Sequence, residues 1–371
     1  MQQSAGYIEA NAIFATVMDV NGPMPADRLY LDHAATTPVV PAARAALADA
    51  LASWANPSSP HGDGRAARAA LEDARARIKI ALGWDGELIF TSGASEAIAL
   101  GLRGFDSVAS AVEHDVVLSA VGLEGRLPVD AAGLVDLPLI AAKRRHAIQH
   151  VNNETGVIQP MATLGSAIKD SAGLLFADCS QSAGKLPLPD ADLIAISAHK
   201  LGGPPGIGAL LVRDLALLQP TGGQEKGYRR GTENLPAVVG FAAALEAGFD
   251  WVVEAGQLRA LLDAGVEAEG GEVVAKDSPR LATIASYRMP GVSASSQLIG
   301  FDLAGISVSA GSACSSGTLK ASHVLGAMGW SDQAASEVVR VSFGPETSEA
   351  DVDRFVDCWR TIQRRASGKA A

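Results

Sequence analysis

Lys200 is an amine nucleophile placed where an apolar segment ends. It follows residues 193–199 (LIAISAH) and precedes the Gly/Pro-rich residues 202–206 (GGPPG). An amine in that position can form an imine with the carbonyl group of a cofactor or substrate. A lone lysine after a strand is more often an ordinary surface residue, so its chemistry depends on what else the chain brings to it.

Two further segments carry groups that suit an anionic aldehyde cofactor. Residues 91–96 (TSGASE) follow an apolar run and begin a helical pattern, for which Ser95 is a plausible N-cap. The free N–H groups and the dipole at such a helix start bind phosphate well. Asp178 ends another apolar run (LLFAD), from where its carboxylate can keep a pyridine nitrogen protonated. The order of phosphate site, aspartate and lysine favours a pyridoxal 5'-phosphate (PLP) site over a plain cap and a surface lysine.

Other polar residues near these segments extend the hypothesis. We expect Ser197 and His199 to help hold the phosphate, and Gln181 to hydrogen-bond the ring hydroxyl group. An imidazole titrates near neutrality, so His114 can stack on the cofactor ring and move protons. A single histidine is more often structural, and that alternative stays open for His114.

Cys314 lies in a stretch of small residues, 309–317 (SAGSACSSG). Such a stretch has little side chain to pack, so we expect a mobile loop. A thiol on a mobile loop can reach a substrate as a nucleophile and then carry its product outward. The alternative is a Gly/Ser linker with an incidental cysteine. Cys179 and Cys358 are more typical of small packed residues.

The composition of the 371-residue chain argues against several classes of protein. A formal net charge of −11 disfavours a nucleic-acid partner, and no long uncharged apolar run predicts a membrane span. Three sparsely spaced cysteines predict neither a disulfide framework nor a metal site. The first basic residue is Arg28, whereas a targeting peptide usually carries basic residues near its start. We therefore expect a cytoplasmic protein, with residues 1–28 as an N-terminal arm.

The elements that must position these residues alternate between strand and helix. Short apolar runs predict strands at residues 88–91, 147–151, 174–177, 193–197 and 207–212, and an amphipathic pattern predicts a helix over 64–82. This alternation predicts an α/β fold with a largely parallel sheet and the ligand at the carboxyl ends of its strands.

After about residue 240 the pattern is typical of a smaller α+β domain. It predicts one helix over residues 236–268, strands at 282–286, 306–309 and 338–343, and a last helix over 347–366. We therefore predict a large cofactor-binding domain over residues 29–240 and a small domain over 241–371 that carries the cysteine loop. The first residues of the large domain are expected to contribute to the small one.

Together these segments resemble the fold-type I, class V PLP enzymes, and within them the cysteine desulfurases of the NifS/IscS group. The matching motifs run in one order from residue 31 to the final helix. They are residues 31–38 (LDHAATTP), 56–59 (NPSS) with 64–65 (GR), 90–96 (FTSGASE), 113–114 (EH), 150–156 (HVNNETG), 178–181 (DCSQ), 197–200 (SAHK), 230–234 (RGTEN), 311–317 (GSACSSG) and 339–343 (VRVSF). The resemblance implies the type I fold, with a mainly parallel seven-stranded sheet, flanking helices and a smaller α+β domain.

The resemblance also implies a role for each matching residue. Lys200 is expected to bind PLP covalently and to take the substrate α-proton, and Cys314 to attack the substrate sulfur. The residues implied to bind the cofactor are Ala94, Ser95, Ser197 and His199 at the phosphate, and His114, Asn153, Asp178 and Gln181 around the ring. Asn153 and Arg340 are implied to hold the substrate carboxylate. Thr232 is implied to reach the phosphate of a neighbouring subunit, and hence a homodimer.

The expected reaction is removal of sulfur from L-cysteine, giving L-alanine and a persulfide on Cys314. The sulfur would pass to an acceptor protein, such as a scaffold for iron–sulfur cluster assembly, or into a thiolation pathway. Two alternatives stay open: a related PLP lyase or aminotransferase acting on selenocysteine or another amino acid, and a non-enzymatic scaffold protein. Ala97, Cys179 and Ala321 depart from the usual pattern of the group, but none of them removes a catalytic group.

Overall fold

The computed structural model describes most of the chain from Arg28 onward. The described residues are 28–52, 54–122, 125–137, 140, 142, 144–313, 319–320, 322–366 and 368. Most of the predicted N-terminal arm, Cys314 and Ala321 lie outside the described residues.

The strands in this part of the chain are short. They are β1 (Leu29–Tyr30), β2 (Glu87–Thr91), β3 (Ser107–Ser110), β4 (Arg126–Leu127), β5 (Arg145–Gln149), β6 (Leu174–Asp178), β7 (Leu193–Ser197), β8 (Gly208–Val212), β9 (Glu272–Val273), β10 (Ile284–Arg288), β11 (Ile306–Ser307), β12 (Ser312–Ala313), β13 (Leu319–Lys320) and β14 (Val338–Ser342).

The helices surround the strands and are mostly longer. They are α1 (Pro41–Ala50), α2 (Gly62–Leu82), α3 (Ala94–Leu102), α4 (Asp115–Val121), α5 (Met161–Asp170), α6 (Leu235–Glu246), α7 (Trp251–Ala268), α8 (Ala294–Leu303), α9 (His323–Ala327), α10 (Asp332–Ala335) and α11 (Glu349–Ala366).

A seven-stranded sheet organises the larger part of the molecule, in the order β2-β8-β7-β6-β5-β3-β4. β8 alone runs opposite in direction to the other six strands, so the predicted mainly parallel sheet is confirmed. Every residue of β7 and of β8 is buried, as expected for central strands that helices cover on both faces.

The helix α2 shows how the sequence specifies one of the covering helices. Its buried residues recur at helical spacing and so form one apolar face. The Nδ1 atom of His61 accepts a hydrogen bond from Gly64 N and caps the start of the helix. At the other end Gly83 has a φ of +63°, a left-handed conformation that glycine adopts without strain and that ends the helix.

A second apolar core lies in the smaller part of the molecule. The antiparallel sheet β14-β10-β9 packs with α7, α8 and α11 there. Phe301 of α8 stacks on Phe355 of α11 with their ring centroids 4.7 Å apart. Leu29 and Leu31 are buried in the same core, because β1 pairs in parallel with β11. The first described residues thus pack with the C-terminal part of the chain.

The prediction of one helix over residues 236–268 is wrong. The structure has two helices, α6 and α7, with a bend of 69° between them. Gly248 has a φ of +81°, which an α-helix cannot continue. The bend lets Phe249 pack against Gly184, where a Cβ atom would lie only 2.3 Å from the phenyl ring. Packing of Phe249 therefore overrides the helical propensity of the alanines and glutamates around it.

The predicted boundary at residue 240 falls inside α6, whose buried residues belong to the core of the large sheet. The exact division into domains stays a prediction. Within the described part of the chain, no single helix has both the length and the apolar character needed to cross a membrane. In that part of the chain, only α6 and α7 taken together, as a bent pair, reach this length and apolar composition.

Candidate active site

Polar side chains gather at one edge of the seven-stranded sheet. The strands β2, β3, β5, β6 and β7 run in one direction, so their carboxyl ends meet at this edge, and a cavity of about 670 Å³ opens there. The predicted site residues that line it are Ala94, Ser95, His114, Asn153, Asp178, Gln181, Ser197, His199, Lys200 and Arg340. Segments as far apart as α3 and β14 therefore contribute to one cavity.

The start of α3 forms one wall of the cavity. Helical geometry begins at Ala94, because Gly93 has a non-helical backbone with a positive φ (φ 156°, ψ −180°) and is itself the N-cap. The prediction of Ser95 as N-cap is therefore wrong: it lies in the first helical turn. Gly93 has no side chain to cap this helix, and the described part of the chain offers no other cap, so the N–H groups of the first turn can bind an anion.

Gly208 allows β8 to pass directly behind this helix start. A Cβ atom on Gly208 would lie 2.4 Å from Ile196 O and 2.7 Å from Gly93 Cα, closer than real Cβ contacts. Ser197 lies beside the same point, since a Cβ atom on Gly93 would be 3.6 Å from Ser197 Oγ. The close packing of β8 fixes Gly93 and Ser197 relative to each other.

Lys200 lies in a single 3-10 turn, Ala198–Lys200, which directly follows β7. Burial lowers the pKa of Lys200, and the positive charge of Arg340 lowers it further, whereas Asp178 acts in the opposite direction. A lowered pKa increases the fraction of neutral amine, which is the nucleophilic form. The Oγ1 atom of Thr37 donates to Lys200 O at 3.3 Å, which helps to fix this turn.

Asp178 and Gln181 lie at the end of β6. Asp178 accepts hydrogen bonds at Oδ1 from Ser180 N (2.9 Å) and Ser180 Oγ (2.5 Å), which hold the carboxylate in place. The Nε2 atom of Gln181 donates to Ala34 O at 2.9 Å. Its Oε1 atom is buried and has no hydrogen-bond partner among the described residues, so it can accept from a bound hydroxyl group.

Local structure fixes the tautomer of His114. Its Nδ1 atom accepts a hydrogen bond from Val116 N at 3.2 Å and caps α4. Burial lowers the pKa of His114, and the charge of Lys200 lowers it further. A neutral ring whose Nδ1 accepts must carry its proton on Nε2. His114 is therefore able to donate a proton from Nε2 within the cavity.

Arg340 of β14 is a cation in the lining of the cavity. Its Nη2 atom lies 2.6 Å from Asp32 Oδ1, and its Nη1 atom donates to Asn153 O at 3.1 Å. The Nε atom is buried and, within the described residues, has no acceptor. A buried guanidinium with one unsatisfied donor suits a bound carboxylate.

His199 and Thr232 have different surroundings. The Nδ1 atom of His199 lies 3.1 Å from Thr36 Oγ1, and the ring lines the cavity beside Lys200. Thr232 is exposed and does not line this cavity. Cys314, the predicted thiol, lies outside the described residues, whereas Cys179 is completely buried behind Asp178.

Several residues at the site were not singled out from the sequence. Asp32 pairs with Arg340, Glu154 and His323 line the cavity, and Lys185 Nζ donates to Lys200 O at 3.3 Å. Burial, together with the charge of Lys200, lowers the pKa of Lys185 to about 8. Asp32 and Glu154 lie inside the motifs 31–38 and 150–156, which is the only signal that pointed to them.

The residues at this cavity fit PLP. An uncapped helix start suits the phosphate, Asp178 suits the pyridine nitrogen, and Gln181 Oε1 is a buried acceptor without a partner in the described chain. Lys200 supplies an amine of lowered pKa on the same cavity. The orphaned Nε atom of Arg340 adds a site for the carboxylate of an amino-acid substrate.

Comparison with known proteins agrees with this combination of fold and site. The family model described as aminotransferase class-V matches residues 29–355. The chain is 36% identical to "Cysteine desulfurase IscS 1" of Archaeoglobus fulgidus over 363 residues, covering 88% of this chain and 95% of that protein. It is 37% identical to the "IscS-like cysteine desulfurase" of Mycobacterium tuberculosis over 370 residues, covering 88% and 94%.

Solved structures give the same picture. A NifS-like protein from Rickettsia africae superimposes with a TM-score of 0.83 at 30% identity, covering 90% of this chain and 99% of that one. A structure described as SspA in complex with cysteine has a TM-score of 0.74 at 29% identity, covering 86% and 100%.

The sheet, the helix start and the strand-end lysine are the arrangement of a fold-type I enzyme. The chain belongs to the class-V aminotransferase family and, within it, to the group of IscS-like and NifS-like cysteine desulfurases. The enzymes of this family depend on PLP.

Proposed function

We propose that this chain is a PLP-dependent cysteine desulfurase that transfers the sulfur of L-cysteine to Cys314 and releases L-alanine. The observation that carries the proposal is the meeting of Lys200, Asp178 and Arg340 on one cavity beside an uncapped helix start. The names of the relatives support the same reaction.

Each end of an amino-acid substrate has a counterpart in the cavity. Arg340 binds the carboxylate through its free Nε atom, and Asn153 lies beside it because its carbonyl oxygen accepts from Arg340 Nη1. Asp32 accepts from Arg340 Nη2 and so fixes the orientation of the guanidinium group that would bind the carboxylate. The substrate amine is thereby directed toward Lys200.

Lys200 would hold the cofactor covalently through Nζ, and the same amine would serve as the base that takes the substrate α-proton. Its lowered pKa favours both roles because each requires the neutral amine. When bound, PLP supplies an electron sink for the carbanion that this proton transfer creates. Asp178 would keep the ring nitrogen protonated, and His114 would lie against the ring with a proton on Nε2 that it can donate.

Cys314 supplies the thiolate that attacks the substrate sulfur. The carbon–sulfur bond of the substrate breaks as the sulfur–sulfur bond forms. The carbon fragment takes up at Cβ the proton that the Cys314 thiol gave up, regains the α-proton from Lys200 at Cα, and leaves as alanine. The product on the protein is a persulfide, which passes its outer sulfur to an acceptor protein. We propose a scaffold for iron–sulfur cluster assembly or a component of a thiolation pathway as that acceptor.

The proposal includes a homodimer. Thr232 is exposed and does not line the cavity of its own subunit, which supports a contact to the cofactor phosphate of a neighbouring subunit. Sedimentation should therefore give a dimer, and Thr232→Ala should weaken PLP binding without changing the dimer. A cytoplasmic location stays a prediction.

Product analysis with three variants tests the proposed reaction. With L-cysteine and a thiol reductant, the PLP-loaded enzyme should release alanine and sulfide, and Lys200→Ala should release neither. Arg340→Lys keeps the positive charge but loses the paired N–H donors of the guanidinium group. Loss of one charge-assisted hydrogen bond, about 1.5–3 kcal/mol, should raise KM for cysteine about 10- to 100-fold.

Cys314→Ala separates the proposed function from its closest alternative. Loss of both products in this variant is expected for a desulfurase that uses the thiol. Undiminished release of sulfur would instead favour a related PLP lyase, for which selenocysteine and other amino acids would be tested as substrates.

A further inference from the structure

His323 of α9 contacts the short segment that carries His114. Its Nε2 atom lies 2.9 Å from Glu113 O, and its Nδ1 atom lies 3.7 Å from Asp115 Oδ1. Because a carbonyl oxygen only accepts, His323 Nε2 must carry the proton in this contact. One imidazole therefore contacts the residues on both sides of His114.

The segment before His114 is held to the sheet by a set of buried hydrogen bonds. Val112 O accepts from Gln149 Nε2 (2.5 Å) and Asn152 Nδ2 (3.0 Å). Glu113, which is completely buried, accepts at Oε1 from Gln149 N at 2.7 Å. These bonds link residues 112 and 113 to the end of β5 in the large sheet, whereas the bond from His323 links residue 113 to α9 in the smaller part of the molecule.

The position of His323 is itself well determined. Ser322 Oγ accepts from Leu325 N (3.1 Å), which caps α9, and donates to the buried Glu154 Oε2 at 2.5 Å. Val324 and Leu325 are buried in the same apolar cluster as Val112. The hydrogen bond of His323 thus lies beside an apolar contact between α9 and the end of β3.

We propose that His323 is a positioning residue that sets the placement of the His114 ring through the Glu113 carbonyl group. The inference rests on the proposed function only in that His114 is taken to meet the cofactor. A shift of the Glu113–His114 peptide would move the ring that caps α4 through Nδ1, and with it the Nε2 proton. The contact with Glu113 O therefore gives His323 a route to the cofactor ring that passes through His114.

Two substitutions of His323 separate hydrogen bonding from packing. The amide nitrogen of glutamine can occupy the place of Nε2, so His323→Gln keeps the donor to Glu113 O. His323→Leu fills similar space without any donor. Asp115→Asn tests the weaker contact at Nδ1, and it should have a smaller effect than His323→Leu because 3.7 Å is beyond hydrogen-bond distance.

The visible circular dichroism of bound PLP reports on the surroundings of the ring and is independent of turnover. We expect His323→Leu to change this band and to lower kcat about 10-fold, with KM for cysteine within about 2-fold of wild type, whereas His323→Gln should resemble wild type. In a His114→Ala background, His323→Leu should change neither the band nor kcat further. Equal effects of His323→Leu with and without His114 would overturn the inference.

A second measurement needs no cofactor and separates this inference from the proposed function. In cofactor-free protein, His114 should react faster with diethyl pyrocarbonate in His323→Leu than in wild type or His323→Gln, as measured by peptide mass mapping. Equal rates in all three proteins would refute the positioning role even if the enzyme proves to be a desulfurase. A faster rate would support that role even if the proposed reaction fails.

Discussion

Replacing Gly208 with alanine tests how the proposed phosphate site is built. The new Cβ atom would lie 2.4 Å from Ile196 O and 2.7 Å from Gly93 Cα. Both are backbone atoms, so no rotamer change relieves the contact, and β8 must move about 1 Å relative to the helix start to reach ordinary van der Waals distance. Overpacking of this kind costs about 1–3 kcal/mol of stability.

The same displacement should weaken cofactor binding. Gly93 leads directly into α3, and Gly208 pairs with both Thr91 and Ser197 in the sheet. Loss of one charge-assisted hydrogen bond to phosphate is equivalent to about 1.5–3 kcal/mol, which lowers PLP affinity about 10- to 100-fold. Gly208→Ala should therefore both lower the denaturant midpoint and weaken PLP binding.

Gly256 provides the matched control. It lies within α7, its φ is not left-handed, and a Cβ atom there would meet no other atom within 4 Å. Gly256→Ala should raise stability by about 0.5–1 kcal/mol, because alanine favours a helix interior, and should leave PLP affinity unchanged.

Urea unfolding of the cofactor-free proteins and titration with PLP, followed by visible absorbance, give both quantities. If Gly208→Ala matched wild type in midpoint and in PLP affinity, the close packing of β8 against the helix start would be refuted as the basis of the site.

Two further predictions concern buried titratable groups. Burial, with the charge of Lys185, lowers the pKa of His33 from 6.5 to about 4, so the unfolded chain binds a proton that the folded chain does not, and stability falls as the pH drops through this range. His33→Gln should reduce this acid-induced loss in the free energy of unfolding by at most about 3 kcal/mol. A variant whose urea unfolding depends on pH as in wild type would contradict this. Burial also raises the pKa of Cys179, so iodoacetamide should modify partly exposed Cys358 first and Cys179 only after unfolding; equal rates in peptide mapping would count against the burial.

The strand ends were the most predictable part of the site. Asp178 ends the apolar strand β6, and Lys200 lies in the turn that follows the apolar strand β7. Parallel strands bring their carboxyl ends to one edge of the sheet. Buried parallel strands have a strong sequence signal because both of their faces must be apolar. The sheet and the positions of these two residues were therefore accessible from the sequence.

Contacts between distant segments were not accessible in the same way. Asp32 and Arg340 are 308 residues apart, and only the pairing of the chain around Ser342 brings them together. His323 reaches Glu113 because Val324 and Val112 share one apolar cluster. No local pattern specifies such contacts, since they depend on how separately formed elements pack.

Two local predictions failed for related reasons. Ser95 has the residue type of an N-cap, but the backbone of Gly93, with a positive φ, starts the helix two residues earlier than that assignment requires. The segment over residues 236–268 has helical composition, but burial of Phe249 against Gly184 favours a bend at Gly248. In both cases the backbone of a glycine, set by tertiary packing, decides the outcome.

The most direct test of the account is the mass of the peptide that contains Cys314 after the PLP-loaded enzyme has met one equivalent of L-cysteine without reductant. The account predicts a gain of one sulfur atom on Cys314 and an equal amount of alanine, with neither in Lys200→Ala. Formation of alanine while the mass of that peptide stays unchanged would contradict the transfer of sulfur to Cys314.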